Sequence, residues 1–497
     1  MSAPVTVTDT IAAISTPPGR GGIGIVRLSG PQAVAIASEL VRLRHPLEHA
    51  HARLADVFDA GGDEATRHEA TRIDEALVTF FRAPNSYTAE DLVEIAAHGS
   101  PVVLELLLRR AIELGARLAE PGEFTQRAFL SGRLDLTQAE AIHDLIDAQT
   151  LTQARQAASQ MGGALSRRVA PAKEALVELV ALLEAGIDFA EDDLDVTPQQ
   201  EIARRIAELT PPLAALEASF ARGRVVHDGL TLAIVGRPNV GKSSLFNRLV
   251  ERDRAIVTAT PGTTRDLVTE RISIGGIPIE LVDTAGLREG REEAEQLGIA
   301  RSREALADAA LALIVLDATQ PLNDEEHRLL AAVVGRPVIV AANKSDLLKT
   351  PNIGKSGPER SHLKKSDLLS SPRSECSLPA AHAEEPALNG RNGGLTALPT
   401  SALTGEGIAA LREKILALAT GGAAAEPGIL TNLRQHQAVA TALSALADAA
   451  QANATGIPHE MILLDLYRAL WALDSLTGQT TPDDILNLIF STFCIGK

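Results

Sequence analysis

The stretch Gly236-Arg-Pro-Asn-Val-Gly-Lys-Ser243 decides the fold of this chain. It follows an apolar run, 232–235, that predicts a strand, and it precedes a helical pattern over 244–250. Glycines between a strand and a helix let backbone N–H groups turn toward a phosphate at the helix N-terminus. The motif's lysine reaches the β- and γ-phosphates, and its serine hydroxyl ligates Mg²⁺. The stretch therefore predicts a P-loop site whose nucleotide-binding residues are Asn239, Val240, Gly241, Lys242, Ser243 and Ser244.

Two further motifs fit the magnesium and γ-phosphate end of such a site. Asp283-Thr-Ala-Gly286 closes the next predicted strand, where the carboxylate can hold Mg²⁺ through water and the Gly286 N–H can contact the γ-phosphate. The run 260–266, Thr-Pro-Gly-Thr-Thr-Arg-Asp, lies between the phosphate loop and Asp283, where a switch loop supplies a threonine to Mg²⁺. Thr264 is our choice and Thr263 the alternative, so Ser243 and Thr264 are the predicted Mg²⁺ ligands.

The sequence also predicts which base is bound. A carboxylate at Asp346, in Asn343-Lys-Ser-Asp346, can accept from guanine N1–H and the 2-amino group. Adenine presents an acceptor at N1 and no 2-amino group, so the carboxylate would stay unpaired. Ser401-Ala402 follows another predicted strand and fits the loop that packs on guanine O6. The nucleotide is therefore GTP, and the predicted base-side residues are Asn343, Lys344, Asp346, Ser401 and Ala402.

The group that orients the attacking water is left open by these motifs. Many GTPases place a glutamine directly after the glycine of the second motif, but Leu287 stands there, and an apolar side chain cannot orient water. Glu295 and Arg288 lie on the switch that follows. Either could supply a polar group, or both could be ordinary surface charges.

The rest of the chain divides into segments by the pattern of its apolar residues. Residues 1–132 mix short apolar runs with helical patterns, which predicts an α+β domain. Residues 133–228 and 421–497 are helical in pattern, and Thr137 with Glu140 predicts a capping box near the start. Between them, 229–420 alternates strands and helices, typical of a parallel-rich sheet with helices on both faces. The prediction is a multidomain α/β protein in which a discontinuous helical domain carries an inserted P-loop domain. The stretch 349–397 is predicted to be a disordered surface insertion.

Composition narrows the function classes. The net charge of −17 argues against a protein that coats nucleic acid through many phosphate contacts. The two cysteines, Cys376 and Cys494, form no disulfide framework or metal-ligand spacing. No leader pattern and no apolar stretch of membrane-spanning length is present, so we expect a cytoplasmic protein with no membrane contact.

Further segments carry a family resemblance. The phosphate loop, the run 261–266 and the run 283–288 look like the translation-factor-related GTPases that include ribosome-assembly and tRNA-modification members. The opening segment 9–30, the closing Cys494-Ile-Gly-Lys497, and the segments 84–91, 121–129 and 134–142 resemble the MnmE family of bacterial and organellar tRNA-modification GTPases. The likeness covers nearly the whole chain, and 349–397 is the main departure.

That resemblance implies an activity and partners. Members have an N-terminal folate-binding domain that also mediates homodimerisation, and a helical bundle that carries the GTPase domain. With an FAD-dependent, MnmG-like partner in a heterotetramer, they add an aminomethyl or carboxymethylaminomethyl group at C5 of the wobble uridine of certain tRNAs. The one-carbon unit comes from 5-formyl- or methylene-tetrahydrofolate.

It also implies site residues. The implied folate contacts are Arg27, Glu94, Arg133 and Lys497. Members use K⁺ in place of an arginine finger, and the implied oxygen ligands of K⁺ are Asn239, Thr258, Thr260 and Thr263, of which Thr258 and Thr263 also border the nucleotide. Glu295 matches the residue that orients the attacking water through a bridging water. Together with Asn239 and Cys494 it completes the implied catalytic set.

Alternatives remain at this stage. The chain could be a ribosome-assembly GTPase switch, although we find no C-terminal RNA-binding module with a Gly-x-x-Gly loop. It could be a folate-dependent one-carbon transferase that merely carries a GTPase. Cys494 could be a buried structural thiol rather than a functional one. The Gly19-x-Gly21-x-x-Gly24 spacing fits a dinucleotide fingerprint, but a strand-like run follows it, so we reject a Rossmann site.

Overall fold

The structure, a computed structural model, describes residues 9–59, 71–188, 198–253, 268–283, 309–333, 335–348, 396–422, 426–479, 486 and 489–496. Contacts divide the chain into two compact units. The first comprises Met1–Ala148, Gln153–Gly223 and Glu426–Lys497, and the second comprises Gln149–Thr152 and Arg224–Ala425. The division into three domains joined at 132/133, 228/229 and 420/421 stays a prediction.

The strands and helices of the described residues have the following bounds. The strands are β1 (Ile11–Ile14), β2 (Gly21–Ser29), β3 (Val41–Leu43), β4 (Ala52–Phe58), β5 (Arg72–Phe81), β6 (Leu92–Gly99), β7 (Arg117–Leu118), β8 (Leu230–Val235), β9 (Val268–Ile274), β10 (Ile277–Asp283), β11 (Leu311–Asp317), β12 (Val338–Asn343) and β13 (Ala397–Pro399). The helices are α1 (Ala33–Leu40), α2 (Pro101–Glu113), α3 (Glu123–Leu130), α4 (Leu136–Asp147), α5 (Leu151–Met161), α6 (Ala164–Asp188), α7 (Gln199–Ala218), α8 (Phe220–Asp228), α9 (Lys242–Asp253), α10 (Asp324–Ala332), α11 (Ile408–Thr420), α12 (Leu433–Ala454) and α13 (His459–Thr477).

The first unit begins with a sheet in the order β3-β4-β5-β6-β2-β1-β7. Neighbouring strands are antiparallel except β1 and β7, which are parallel. The buried side chains of β2 and β6 pack with α1 and α2 in one apolar cluster that includes Val26, Ile95 and Leu107. This arrangement confirms the predicted α+β character of the N-terminal part.

The helical part of the first unit is built from separated stretches of the chain. Leu176 of α6 and Leu209 of α7 lie in the same apolar core as Leu446 of α12 and Leu466 of α13. Because α6 and α7 precede the second unit in sequence while α12 and α13 follow it, the helical bundle is discontinuous, as predicted. Across the described residues, no helix has both the length and the apolarity to cross a membrane.

The second unit is a sheet in the order β13-β12-β11-β8-β10-β9, with helices on both faces. All its neighbouring pairs are parallel except β9 and β10, which are antiparallel. Leu249 of α9 and Leu411 of α11 belong to one apolar layer, and Leu330 of α10 belongs to the other. The predicted parallel-rich sheet between two helical layers is therefore confirmed.

One predicted helix start is wrong. The capping box of α4 is formed by Asp135 and Gln138, not by Thr137 and Glu140. Asp135 Oδ1 accepts from the Gln138 backbone N–H at 2.9 Å, and Gln138 Oε1 accepts from the Asp135 N–H at 3.0 Å. Thr137 lies inside the first turn and donates its hydroxyl to Asp135 Oδ1 at 2.6 Å. A carboxylate accepts more strongly than a hydroxyl, so the aspartate two residues earlier takes the N-cap.

The predicted insertion also needs a correction at its end. The strand β13 begins at Ala397 and pairs in parallel with β12 from that residue onward. Residue 397 therefore belongs to the sheet and not to the insertion. Residues 349–395 lie outside the described part of the chain.

Candidate functional site

The phosphate loop, residues 236–241, turns sharply between β8 and α9. Gly236 and Gly241 have φ values of 153° and 95°, and Asn239 is left-handed at 65°. A Cβ on Gly236 would lie 2.3 Å from the carbonyl oxygen of Val315. A Cβ on Gly241 would lie 2.3 Å from Asn343 Nδ2. Gly236 is therefore required by the close approach of the β11 backbone and Gly241 by that of the Asn343 side chain, and both also by their backbone conformation.

The side chain of Lys242, the first residue of α9, is hydrogen-bonded to this loop. Its ammonium donates to the carbonyl oxygens of Gly236 at 2.6 Å and Arg237 at 2.8 Å, and the residue is buried. Ser243 and Ser244 follow in the first turn of α9 and are exposed, as is Asn239. The loop thus presents a cation, a helix N-terminus and a hydroxyl together, which is the chemistry that a nucleotide phosphate with Mg²⁺ needs.

The base-side residues lie at the same edge of the sheet as the phosphate loop. Asn343 ends β12 and is almost completely buried. Its Nδ2 donates to the Val240 carbonyl at 2.9 Å, and its Oδ1 accepts from the Ala402 backbone N–H at 3.0 Å. One side chain therefore joins the phosphate loop to the loop after β13. Asp346 lies one turn further on, in a short 3₁₀ helix, and is half-buried.

The loop after β13 is held by its own hydrogen bonds. The Ser345 N–H donates to the Thr400 carbonyl at 3.0 Å, so the two base-side loops are bonded to each other. Ser401 is fully buried, and its hydroxyl accepts from the Thr404 N–H at 3.1 Å. The positions of Ser401 and Ala402 are therefore set by backbone contacts to the loop that contains Asp346.

Asp317 was missed by the sequence reasoning. It ends β11, and its Oδ2 accepts from Lys344 Nζ at 2.7 Å while Oδ1 accepts from the Thr319 hydroxyl and N–H. Burial alone would raise the pKa of Asp317, but the hydrogen bonds from Lys344 and Thr319 outweigh it and lower the pKa to about 2. The signal was present, since Asp317 ends a strand at the same sheet edge as Asn343.

Several predicted residues cannot be placed. Outside the described residues lie Thr258, Thr260, Thr263, Thr264, Gly286, Leu287, Arg288, Glu295, Cys376 and Lys497. Asp283 ends β10, and only its backbone is described. The Mg²⁺ threonine, most of the K⁺ ligand set and the water-orienting residue therefore stay predictions.

A second cluster lies in the first unit around Arg27. This residue faces Glu94 across β2 and β6, and its Nε and Nη2 donate to Glu94 Oε1 at 3.0 and 2.7 Å. The Arg27 guanidinium lies over the Tyr87 ring at 5.5 Å, and the Arg133 guanidinium over the same ring at 5.3 Å. Arg133 is exposed and also donates to the Tyr87 carbonyl at 2.6 Å. Three of the four predicted folate residues therefore share one region, and Tyr87 contacts both arginines.

The C-terminal segment reaches this cluster. The Gly496 carbonyl accepts from Arg27 Nη1 at 3.2 Å, and Ile495 forms a bridge with Pro121. A Cβ on Gly496, whose φ is 93°, would lie 2.7 Å from the Ile14 carbonyl. Cys494 is exposed, so the reading of it as a buried structural thiol is wrong.

Known proteins resemble this chain over its full length. A family model described as the MnmE helical domain matches residues 136–494, and one described as the GTP-binding protein TrmE N-terminus matches residues 10–133. A Koribacter versatilis protein named tRNA modification GTPase MnmE is 53% identical, with 98% of this chain and 99% of that protein covered. Proteins of the same name from Symbiobacterium thermophilum and Moorella thermoacetica are 41% and 40% identical, again with 98% of this chain and 99% of each relative covered.

Proposed function

The chain belongs to the MnmE family of tRNA modification GTPases, and from that premise we propose that its GTP cycle drives modification at C5 of the wobble uridine of certain tRNAs. It is a GTP-hydrolysing enzyme of tRNA modification. The proposed chemistry adds an aminomethyl or carboxymethylaminomethyl group with a one-carbon unit from 5-formyl- or methylene-tetrahydrofolate. An FAD-dependent partner supplies the redox part of the reaction.

The observation that supports GTP as the nucleotide is the double hydrogen bond of Asn343. It ties the phosphate loop to the loop of Ser401 and Ala402, next to the segment that contains Asp346. Phosphate and base recognition therefore share one edge of the sheet, where this side chain joins the two loops. Asp346 accepts from guanine N1–H and the 2-amino group. Adenine offers this carboxylate no donor, because its N1 is an acceptor and it has no 2-amino group.

The phosphate end fits Mg²⁺ and a monovalent cation. Ser243, exposed at the start of α9, is suited to ligate Mg²⁺, with Thr264 as the second protein ligand. Asn239 is exposed in the same loop and carries a carboxamide oxygen, a hard donor suited to K⁺. When bound, K⁺ offsets charge that develops between the β- and γ-phosphates. Thr258, Thr260 and Thr263 complete the proposed K⁺ set, and Glu295 orients the attacking water.

The cluster around Arg27 is the proposed folate site. Glu94 presents a carboxylate that accepts from amino and ring N–H groups, which a pterin offers. The exposed Arg133 guanidinium suits the carboxylates of the folate tail. The Tyr87 ring keeps the two arginines close to each other through its cation–π contacts with both. Cys494 lies in the segment that Arg27 holds through the Gly496 carbonyl, and we propose Lys497 as the fourth folate contact.

The remaining proposals concern assembly and place. We propose a homodimer formed through the N-terminal domain, a heterotetramer with an MnmG-like FAD-dependent partner, and tRNA as the substrate. We place the protein in the cytoplasm. The ribosome-assembly reading loses its basis, because the relatives that span the whole chain carry a tRNA-modification name.

Mass spectrometry of wobble-uridine nucleosides tests the proposal. The tRNA comes from a bacterium that lacks its own family member and expresses either this chain or its Cys494→Ser form. The C5-modified uridine is expected to return with the wild type and not with the variant. If neither chain restores it while GTP is hydrolysed and the partner protein is present, the coupling to tRNA modification is wrong.

A further inference from the structure

Arg237, the second residue of the phosphate loop, reaches toward α10. Its Nε lies 3.1 Å from Glu326 Oε1, and its Nη2 donates to Gln320 Oε1 at 2.8 Å. Only 18% of the Arg237 side chain is exposed. An ion pair and a hydrogen bond therefore join the phosphate loop to the segment that follows β11.

The capping box of α10 fixes the position of the Glu326 carboxylate. Its Oε2 accepts from the Asn323 N–H at 3.0 Å, as the third-position member of the capping box that begins α10. Its side chain is only 2% exposed, and Oε1 accepts no aligned hydrogen bond from the described residues. A buried carboxylate is costly unless a cation compensates it. The guanidinium of Arg237 is that cation.

The anchored residue also holds the phosphate-loop lysine. The Arg237 carbonyl accepts from Lys242 Nζ at 2.8 Å, beside the Gly236 carbonyl at 2.6 Å. Moving the Arg237 backbone therefore moves an oxygen that holds the ammonium. The chain of contacts runs from Glu326 through the side chain and then the carbonyl of Arg237 to Lys242.

We propose that Arg237 is a positioning residue for nucleotide binding, which acts through Lys242 and is itself anchored by Glu326. The inference rests on the proposed GTP site and adds to it an anchor outside the nucleotide-binding motifs. Without the anchor, the loop samples other conformations, and the nucleotide must select the competent one, which weakens binding in proportion. The effect falls on GDP and GTP alike, because both carry the β-phosphate that Lys242 reaches.

The experiment compares Arg237→Ala, Glu326→Gln, the double variant and the control Glu325→Gln in the full chain. Glutamine at 326 can still accept in the capping box, so this variant removes the charge and keeps the helix start. Glu325 is the exposed neighbour in the same first turn, so its variant removes an equal charge near the helix N-terminus without touching Arg237. The readouts are the dissociation constants of fluorescent GDP and GTP analogues, and the unfolding temperature without nucleotide.

Each single variant is expected to raise both dissociation constants about tenfold at a temperature where it is fully folded. The double variant is expected to match the single ones, because both break the same contact. The control is expected to bind like the wild type. Since the pair is broken from either side, a folding failure of one variant leaves the other to decide.

Three results would overturn the inference. Wild-type affinity in the single variants, with at most a lower unfolding temperature, would mean that the pair is merely structural. Additive losses in the double variant would mean that the two residues do not act through each other. Equal weakening in Glu325→Gln would assign the effect to helix charge in general. A wild-type chain that binds neither nucleotide would instead overturn the GTP site itself.

Discussion

Asn343 Nδ2 donates to the carbonyl oxygen of Val240 at 2.9 Å, so the residue that ends β12 is hydrogen-bonded to the phosphate loop. The same side chain accepts from the Ala402 N–H at 3.0 Å. These two bonds make phosphate binding and base binding depend on one buried carboxamide.

Replacing Asn343 by alanine is expected to leave the Val240 carbonyl and the Ala402 N–H without this partner. Each loss costs about 1–3 kcal/mol, so the variant should unfold more easily and bind GTP weakly. Asn343→Asp is the matched variant, since it keeps the acceptor for Ala402 and places an oxygen against the Val240 carbonyl. Urea titrations and GTP binding measure both effects. Wild-type GTP affinity in Asn343→Asp would contradict the role given to the Val240 bond.

Changing Asp346 to asparagine is expected to shift preference from GTP to xanthosine triphosphate. The amide offers a donor to the 2-oxo group of xanthine and can no longer accept both guanine N–H groups. Competition binding with the two nucleotides measures the shift. Asp324→Asn, the same change in the first turn of α10, serves as the control. If the Asp346 variant still prefers GTP, the carboxylate of Asp346 does not select the base.

Potassium is expected to stimulate GTP hydrolysis through Asn239. Rates in KCl and NaCl at equal ionic strength give the stimulation. Asn239→Gly is the sharpest variant, because glycine tolerates the φ of 65° at this position and removes only the carboxamide. It should lose the difference between the two salts. Equal wild-type rates in both salts would remove the proposed K⁺ role.

Acid should weaken the contact between Asp317 and Lys344. The pKa of Asp317 is about 2 in the folded protein against 3.8 ordinarily, so the carboxylate adds stability above pH 3.8 and loses it as the pH falls toward 2. Asp317→Asn should be less stable than the wild type at pH 7, and the difference should shrink between pH 4 and pH 2. Urea titrations followed by circular dichroism measure the two curves. A constant difference over that range would show that the ionised form of Asp317 adds nothing.

The half-buried pair of Arg434 and Glu140 should stabilise the discontinuous helical bundle. Arg434 Nε and Nη2 donate to the two oxygens of Glu140 at 2.6 and 2.8 Å, and Nη1 donates to the Ser475 carbonyl at the end of α13. Removing either partner of a fully buried pair costs about 3–5 kcal/mol, and the loss here should be smaller because 22% of the Arg434 side chain is exposed. Urea unfolding followed by the fluorescence of Trp471, the single tryptophan, should show this loss in Arg434→Ala.

The control for this prediction is Arg468→Ala in α13. Arg468 pairs with Asp448 and Asp465 at the surface, where ion pairs contribute about 0–1 kcal/mol. Equal losses in the two arginine variants would contradict the larger contribution of the half-buried pair.

Features formed by residues close together in sequence could be predicted, whereas contacts between residues far apart in sequence could not. The motifs of the nucleotide site could be found because each is a short run placed directly after a predicted strand, and parallel strands bring such runs to one edge. The capping box of α4 was misplaced because two polar pairs with the same spacing competed. The structure shows why Glu140 is absent from it, since this side chain binds Arg434, almost 300 positions away. No local pattern contains that partner.

The contacts that join motifs were equally out of reach. Lys344 belongs to a recognisable motif, but its partner Asp317 comes from an earlier strand. Arg237 stands inside the phosphate loop, yet its partner Glu326 is an ordinary-looking member of an acidic helix start. Pairings of this kind depend on strand order and helix placement, which the tertiary fold alone determines.

The discontinuous bundle has a consequence for synthesis on the ribosome. Helices α6 and α7 leave the ribosome with apolar faces whose partners, α12 and α13, lie about 200 residues further along the chain. At usual translation rates of about 5–20 residues per second, that gap lasts about 10–40 s. The inserted unit has all its strands available within that interval and can fold first. The nascent chain therefore presents an incomplete helical core for much of its synthesis, and chaperones would be most needed in that window.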